Sequence, residues 1–123
     1  MMQREEMDST VTLFDQLTQE VGPVVLVNSF HVAPSDVEAL LSAWAQDAAY
    51  LKTKPGYIAT QLHRGIGGST TFINLAVWES VSAFRAAFSD PAFQATFANY
   101  PDYAVASPNL FQKVAVPGIC VDR

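Results

Sequence analysis

Thr70-Thr71-Phe72-Ile73-Asn74-Leu75-Ala76-Val77-Trp78-Glu79-Ser80 is the stretch on which the reading of this chain turns. Side chains alternate between the two faces of a β-strand, so a strand over 70–78 puts Phe72, Asn74, Ala76 and Trp78 on one face and Ile73, Leu75 and Val77 on the other. The second set is wholly aliphatic. The first is apolar except for an amide and an indole N–H, so this strand carries polar groups on a face otherwise built to be buried.

Working outward, Gly65-Ile66-Gly67-Gly68 makes a turn between this strand and Tyr57–Arg64 (YIATQLHR), which predicts a hairpin. Upstream, Val24–Val32 (VVLVNSFHV) is β-branched and aromatic and ends before Pro34, so it reads as another strand, with Leu26, Asn28 and Phe30 on one face. Between them, Ser35-Asp36-Val37-Glu38 has the Ser-x-x-Glu form of a capping box. Val37, Leu40, Leu41, Trp44, Ala48 and Leu51 then form a helical stripe that stops near Lys54, before Pro55-Gly56. After the hairpin, Val81, Phe84 and Phe88 mark a second helix, restarted by Asp90-Pro91 ahead of Phe93, Phe97 and Tyr100. A loop over 101–108 leads to a last strand over 110–116. The order β-α-β-β-α-β predicts an α+β fold with a split βαβ arrangement, an antiparallel sheet carrying both helices on one face. The other face, with Val25, Val27, Ile73, Leu75 and Val77, is too apolar to stay bare, and a second copy of the chain is expected to cover it as a homodimer.

With 123 residues, half of them apolar and 15% charged, the chain has the composition of a single folded domain. Residues 1–22 form an acidic leader holding Glu5, Glu6, Asp8, Asp15 and Glu20 against Arg4. Leu13, Phe14, Leu17 and Val21 suggest a short helix there, capped by Asp8 or Ser9, and 23–123 are read as the domain proper. Net charge is −5, and the seven Lys and Arg are scattered singly, which disfavours nucleic acid and anionic membranes. No run reaches the ~20 apolar residues of a membrane span, and the acidic start does not resemble a signal peptide, so the expected location is cytoplasmic. Cys120, the sole cysteine, reads as a bystander. Dinucleotide, phosphate-loop and metal-ligand spacings are missing, and no cofactor is expected.

Asn28 and Asn74 then need explanation, since an amide in an apolar layer costs a few kcal/mol unless its hydrogen bonds are met. Each alone is explained by a backbone partner at a bulge or strand end. The pair together with Trp78 favours a polar-lined pocket. At this point the sequence resembles a family. The element order, Pro55-Gly56 after the first helix, Leu62-His63-Arg64 ending a strand, and above all Asn74-Leu75-Ala76-Val77-Trp78-Glu79-Ser80 are similar to the antibiotic biosynthesis monooxygenases, small dimeric α+β-barrel proteins. The resemblance covers residues 23–116. It implies that Asn28, Asn74 and Trp78 correspond to the Asn, Asn and Trp lining the pocket of members that oxidise anthrone-like aromatic polyketides with dioxygen, without metal or flavin.

Departures from the family pattern are equally informative. Some quinone-forming members carry a tyrosine where this chain has Phe84 and a basic residue near Phe97, so a proton relay built on those groups is missing. The haem-degrading branch puts a Trp and a haem-ligating His where this chain has Ala87 and Phe97, and phenylalanine cannot ligate iron. The expected activity is therefore a cofactor-independent monooxygenase. A cyclase or isomerase working without oxygen, or a small-molecule carrier, remains an alternative. Asn28, Asn74 and Trp78 are the expected catalytic set. Phe30, Trp44, Phe72, Phe84, Phe88 and Phe97, with His63 at the strand end, are the expected contacts to a flat aromatic substrate, the plainer reading of the phenylalanines being core. None of the three polar residues is a base at neutral pH, which leaves that step to the substrate's own phenols or to a histidine. His31, out of phase with Asn28, is expected at the surface or an interface.

Overall fold

A computed structural model describes all residues, Met1–Arg123. Its elements are β1 (Gln3–Arg4), α1 (Leu13–Gln16), β2 (Val24–His31), α2 (Val37–Leu51), β3 (Tyr57–Arg64), β4 (Thr71–Trp78), α3 (Val81–Phe88), α4 (Pro91–Ala95) and β5 (Val105–Phe111), with 3₁₀ turns at Pro34–Asp36 and Thr96–Asn99. The sheet order is β1-β5-β2-β4-β3. The four long strands are antiparallel, and β1 adds a short parallel edge to β5. This is the expected α+β, ferredoxin-like arrangement, with the helices on one face.

Burial alternates along the central strands as the sequence pattern requires. Val24, Leu26 and Phe30 of β2 and Phe72, Asn74, Ala76 and Trp78 of β4 are buried beneath the helices. On the opposite face Ile73 is 41% and Leu75 37% exposed, joined by Phe111 at 41%. Leu40 and Ala43 of α2 pack in one cluster with Phe30 and Phe72, while Val81, Phe84 and Phe88 of α3 pack in another with Leu26, Ala76 and Trp78. Two close approaches fix the ends of the helical layer. Gly56, at φ +86°, has no room for a Cβ, which would stand 2.4 Å from that of Ala83. Gly22 lets the incoming chain lie against Glu79 and Ser80, where a Cβ would meet the Glu79 carbonyl at 2.4 Å.

Five local expectations are corrected. The last strand runs Val105–Phe111, not 110–116. Pro108, expected in the loop before it, lies inside the strand: β1 pairs only with Val105 and Ala106, so at Pro108 the outer side of β5 is a free edge, where a missing N–H costs no ladder bond. The Ser35–Glu38 capping box does not form, because a 3₁₀ turn started by Pro34 leads into α2, whose N-cap Asp36 makes no side-chain bond. The leader's helix is capped instead by a reciprocal Thr12–Asp15 box, while Asp8 holds a preceding turn through Thr10 and Val11. The leader is also integrated into the fold: Leu13 and Leu17 join the main core, each burial contributing about 1.5–3 kcal/mol, and Gln16 brackets Leu110 with bonds of 2.9 and 3.0 Å. Phe14 and Val21, expected on the same apolar face, are exposed.

Candidate active site

Between the sheet and the helices lies a cavity of about 280 Å³. Its floor is the buried face of the sheet: Leu26, Asn28 and Phe30 of β2, Tyr57 and Thr60 of β3, Asn74, Ala76 and Trp78 of β4, and Ala106 and Pro108 of β5. Its roof is helical, with Trp44, Asp47, Ala48 and Leu51 from α2, Phe84 and Phe88 from α3, Phe93 and Gln94 from α4, and Phe97 and Tyr100 beyond it. Residues 1–4 close one end. An apolar enclosure with a few convergent polar groups is the usual form of a small-molecule site.

The register of the sheet brings the two asparagines together. Asn28 and Asn74 are direct cross-strand partners, and Pro108 flanks Asn28 on its other side. Opposed residues of this kind stand about 4.5–5.5 Å apart at Cβ, so the amides form one polar patch. The Thr60 hydroxyl donates to Asn74 Oδ1 at 2.6 Å, which fixes the amide and leaves its NH₂ end to donate elsewhere. Asn28 Oδ1 is buried without a hydrogen-bond partner. So is the indole Nε1 of Trp78, a side chain with no solvent exposure, held edge-on between Tyr57 and Phe84 at 5.7 Å from each ring. Backbone therefore does not satisfy these groups, and their unmet bonds accumulate in one place.

The roof contributes a polar pair of its own. Tyr100 donates its hydroxyl to Asp47 Oδ2 at 2.5 Å, while Asp47 Oδ1 is buried with no partner. Asp47 is 7% exposed. Burial pushes its carboxyl above the ordinary aspartate range, against the pull of the Thr96 and Tyr100 hydroxyls. Burial, and then the neighbouring Asp47 charge, pushes the Tyr100 phenol well up, so it stays a donor.

Of the expected residues, the cavity gathers Asn28, Asn74, Trp78, Phe30, Trp44, Phe84, Phe88 and Phe97. It does not gather His63 or Phe72. His63 pairs across the hairpin with Ile73, which fixes the phase that the sequence left open and puts it on the open face, exposed. Phe72 is spent on the core beside Phe30, with the Arg64 guanidinium over its ring at 5.3 Å. His31 is exposed, as expected, with Nδ1 3.1 Å from Thr71 Oγ1. Sequence reasoning missed Asp47, Tyr100 and Thr60 as pocket groups. For Asp47 the signal was present: it follows Trp44 by three residues and Leu40 by seven, an acid set inside an apolar helical stripe. No group of three or more His, Cys, Asp or Glu side chains is placed to hold a metal ion. Phe97 is packed in an aromatic cluster, its ring 5.1 Å from Phe93 and 6.2 Å from Phe88.

A ferredoxin-like sheet with a ligand-sized, partly polar cavity under its helices defines a class of small-molecule-binding α+β proteins. Within that class the chain belongs to the antibiotic biosynthesis monooxygenase family, whose model matches residues 23–99. It is 35% identical over 76 residues to the deoxynogalonate monooxygenase of Streptomyces nogalater, a stretch covering 60% of this chain and 62% of that relative. It is 32% identical over 73 residues to a mycobilin-producing heme oxygenase of Mycobacterium tuberculosis, covering 59% of this chain and 70% of the relative. Among solved structures, SnoaB, a cofactor-independent oxygenase from Streptomyces nogalater, superposes with a TM-score of 0.67 at 28% identity, over 80% of this chain and 99% of that one.

Proposed function

We propose that this protein is a cofactor-independent monooxygenase that oxidises an aromatic, polyketide-like substrate of the anthrone or hydroxyarene type with dioxygen. One observation carries the reading: Asn28, Asn74 and Trp78 converge on the floor of an apolar cavity, with the Trp78 Nε1 donor unpartnered and the Thr60 bond to Asn74 Oδ1 leaving the Asn74 NH₂ to donate. Ground-state dioxygen reacts poorly with closed-shell molecules, but an electron-rich carbanion or phenolate can hand it an electron, so the protein's task is to help the substrate become that anion. Amide and indole N–H groups aimed at a substrate carbonyl stabilise the oxyanion that forms, and in a dry site one such donor contributes about 2.7–4 kcal/mol. The phenylalanines of the roof keep water away. The names of the Streptomyces relatives, one a monooxygenase and one a cofactor-independent oxygenase, agree with this chemistry.

The functional unit in this proposal is a homodimer, because Ile73, Leu75 and Phe111 leave an apolar sheet face that a second copy of the same face would cover. The partners are then a small aromatic substrate, dioxygen and a second copy of the chain. No helix is long and apolar enough to cross a membrane. The test is oxygen uptake: chelator-treated protein mixed with a hydroxyanthrone is expected to consume dioxygen faster than buffer does. Binding without any change in uptake would make the protein a carrier instead.

A further inference from the structure

Resting on the oxygenase reading and deepening it, we infer that Asp47 is the general base of the pocket and that Tyr100 positions it. The sheet floor offers donors but nothing that accepts a substrate proton at neutral pH, and both histidines lie outside the cavity. Asp47 is the carboxylate that lines it. Its two oxygens are differentiated: Oδ2 is tied to the Tyr100 hydroxyl at 2.5 Å, and Oδ1 is buried without a hydrogen-bond partner, the nearby Thr96 hydroxyl donating to the Phe93 carbonyl at 2.6 Å. A carboxylate more than nine-tenths buried, with half of its acceptor capacity unused, is costly for a purely structural tie, which asparagine or glutamine would make without burying a charge. Facing a ligand with an acidic C–H or O–H, the same free oxygen becomes useful.

The surroundings suit that role. Tyr100 is held from behind by its ring, stacked on Phe30 at 5.7 Å, so the hydroxyl that orients Asp47 is itself fixed. The other titratable or charged side chains around the cavity are Tyr57 on the floor and Arg4 at the closed end. The Arg4 guanidinium lies over the Phe14 ring at 4.5 Å and makes no ion pair with Asp47. The amino terminus is taken by Asp102 at 2.8 Å. Asp47 therefore keeps its carboxyl unneutralised, and its desolvation brings its basicity closer to that of a weakly acidic substrate.

From an anthrone methylene Asp47 Oδ1 takes one proton, and the electron pair stays on the ring system, its charge drawn to the carbonyl oxygen that the floor's N–H donors face. Dioxygen takes up that pair and forms a C–O bond, giving a peroxide anion that recovers the proton from Asp47. Loss of water, which carries off the second methylene hydrogen and one oxygen atom, leaves the new carbonyl. Dioxygen is the oxidant, and Asp47 returns to its starting state.

Exchange of the methylene hydrogens of a dihydroxyanthrone in deuterium oxide under nitrogen reads the proton step without the oxygen step. Wild-type protein is expected to accelerate exchange over buffer, and Asp47→Asn to lower that acceleration by about 10²–10³-fold while remaining folded. Tyr100→Phe removes the bond that favours the charged carboxylate, so the acidic limb of the exchange rate against pH is expected to move to higher pH with the plateau changed only a few-fold. Wild-type exchange no faster than buffer, an Asp47→Asn variant as fast as wild type, or an unmoved limb in Tyr100→Phe would each overturn the assignment. The two readings fail separately. Exchange without oxygen uptake in air retains the base and removes the oxygenase, whereas undiminished oxygen uptake in Asp47→Asn removes only the base.

Discussion

The floor and the roof of the cavity are polar in different ways. On the floor, Asn28, Asn74 and Trp78 are set by the register of two paired strands, carry no charge, and supply hydrogen-bond donors. In the roof, Asp47 and Tyr100 come from a helix and from the end of a 3₁₀ turn 53 residues apart in the chain, and Asp47 is the base we propose. The difference teaches a division of labour. In the proposed reaction the sheet positions neutral groups where charge develops on the substrate, and the helices bring in the group that changes protonation state.

The sharpest way to break this comparison is to strip the floor while leaving the roof. Asn74→Ala or Asn28→Ala is expected to lower kcat by roughly 10²–10³-fold with KM much less changed, because the lost bonds matter chiefly when the oxyanion forms. If steady-state kinetics instead gave normal turnover alongside an early thermal transition, the amides would be structural and the floor inert.

A second variant addresses the back of the floor. Ile73 and Leu75 alternate with Asn74 and face away from the cavity, so a double change to Lys is expected to turn a dimer into monomers by light scattering while altering the pocket only indirectly. A particle of monomer mass before substitution would remove the dimer from the account.

The smallest effect is one of stability, and it is read in the roof. The Asp47 carboxyl is raised in the folded protein, so the unfolded chain gives up that proton first as pH rises. The folded state then loses stability from about pH 4 upward until the folded carboxyl also ionises, and the deficit stays constant above that. Asp47→Asn should consequently melt a few degrees above wild type at neutral pH, with the gap closing below about pH 4. A variant that melts lower than wild type at neutral pH would mark the pair as a structural tie.

Much of the floor was legible because a strand has a period of two. Once Asn28, Asn74 and Trp78 were placed on strands, alternation fixed their face, and the family-like Asn74–Ser80 stretch fixed their company. The strand holding His63 was not legible, since YIATQLHR carries no clean alternation, and only its pairing with β4 set the phase. Pro108 hid the last strand, because its tolerance depends on how far a two-residue edge strand extends along β5. The roof was the least legible part. Asp47 stands in an apolar stripe where an acid signals a partner, but that partner, Tyr100, arrives through an irregular turn whose path no local periodicity encodes.

Whether the protein uses dioxygen itself is read by supplying isotopically labelled dioxygen to chelator-treated protein and a hydroxyanthrone and following the label by mass spectrometry. One labelled oxygen atom is expected in each quinone formed and the other in water. A product free of label, or turnover that continues under strict anaerobiosis, would contradict the use of dioxygen and turn the same cavity into that of a cyclase or isomerase.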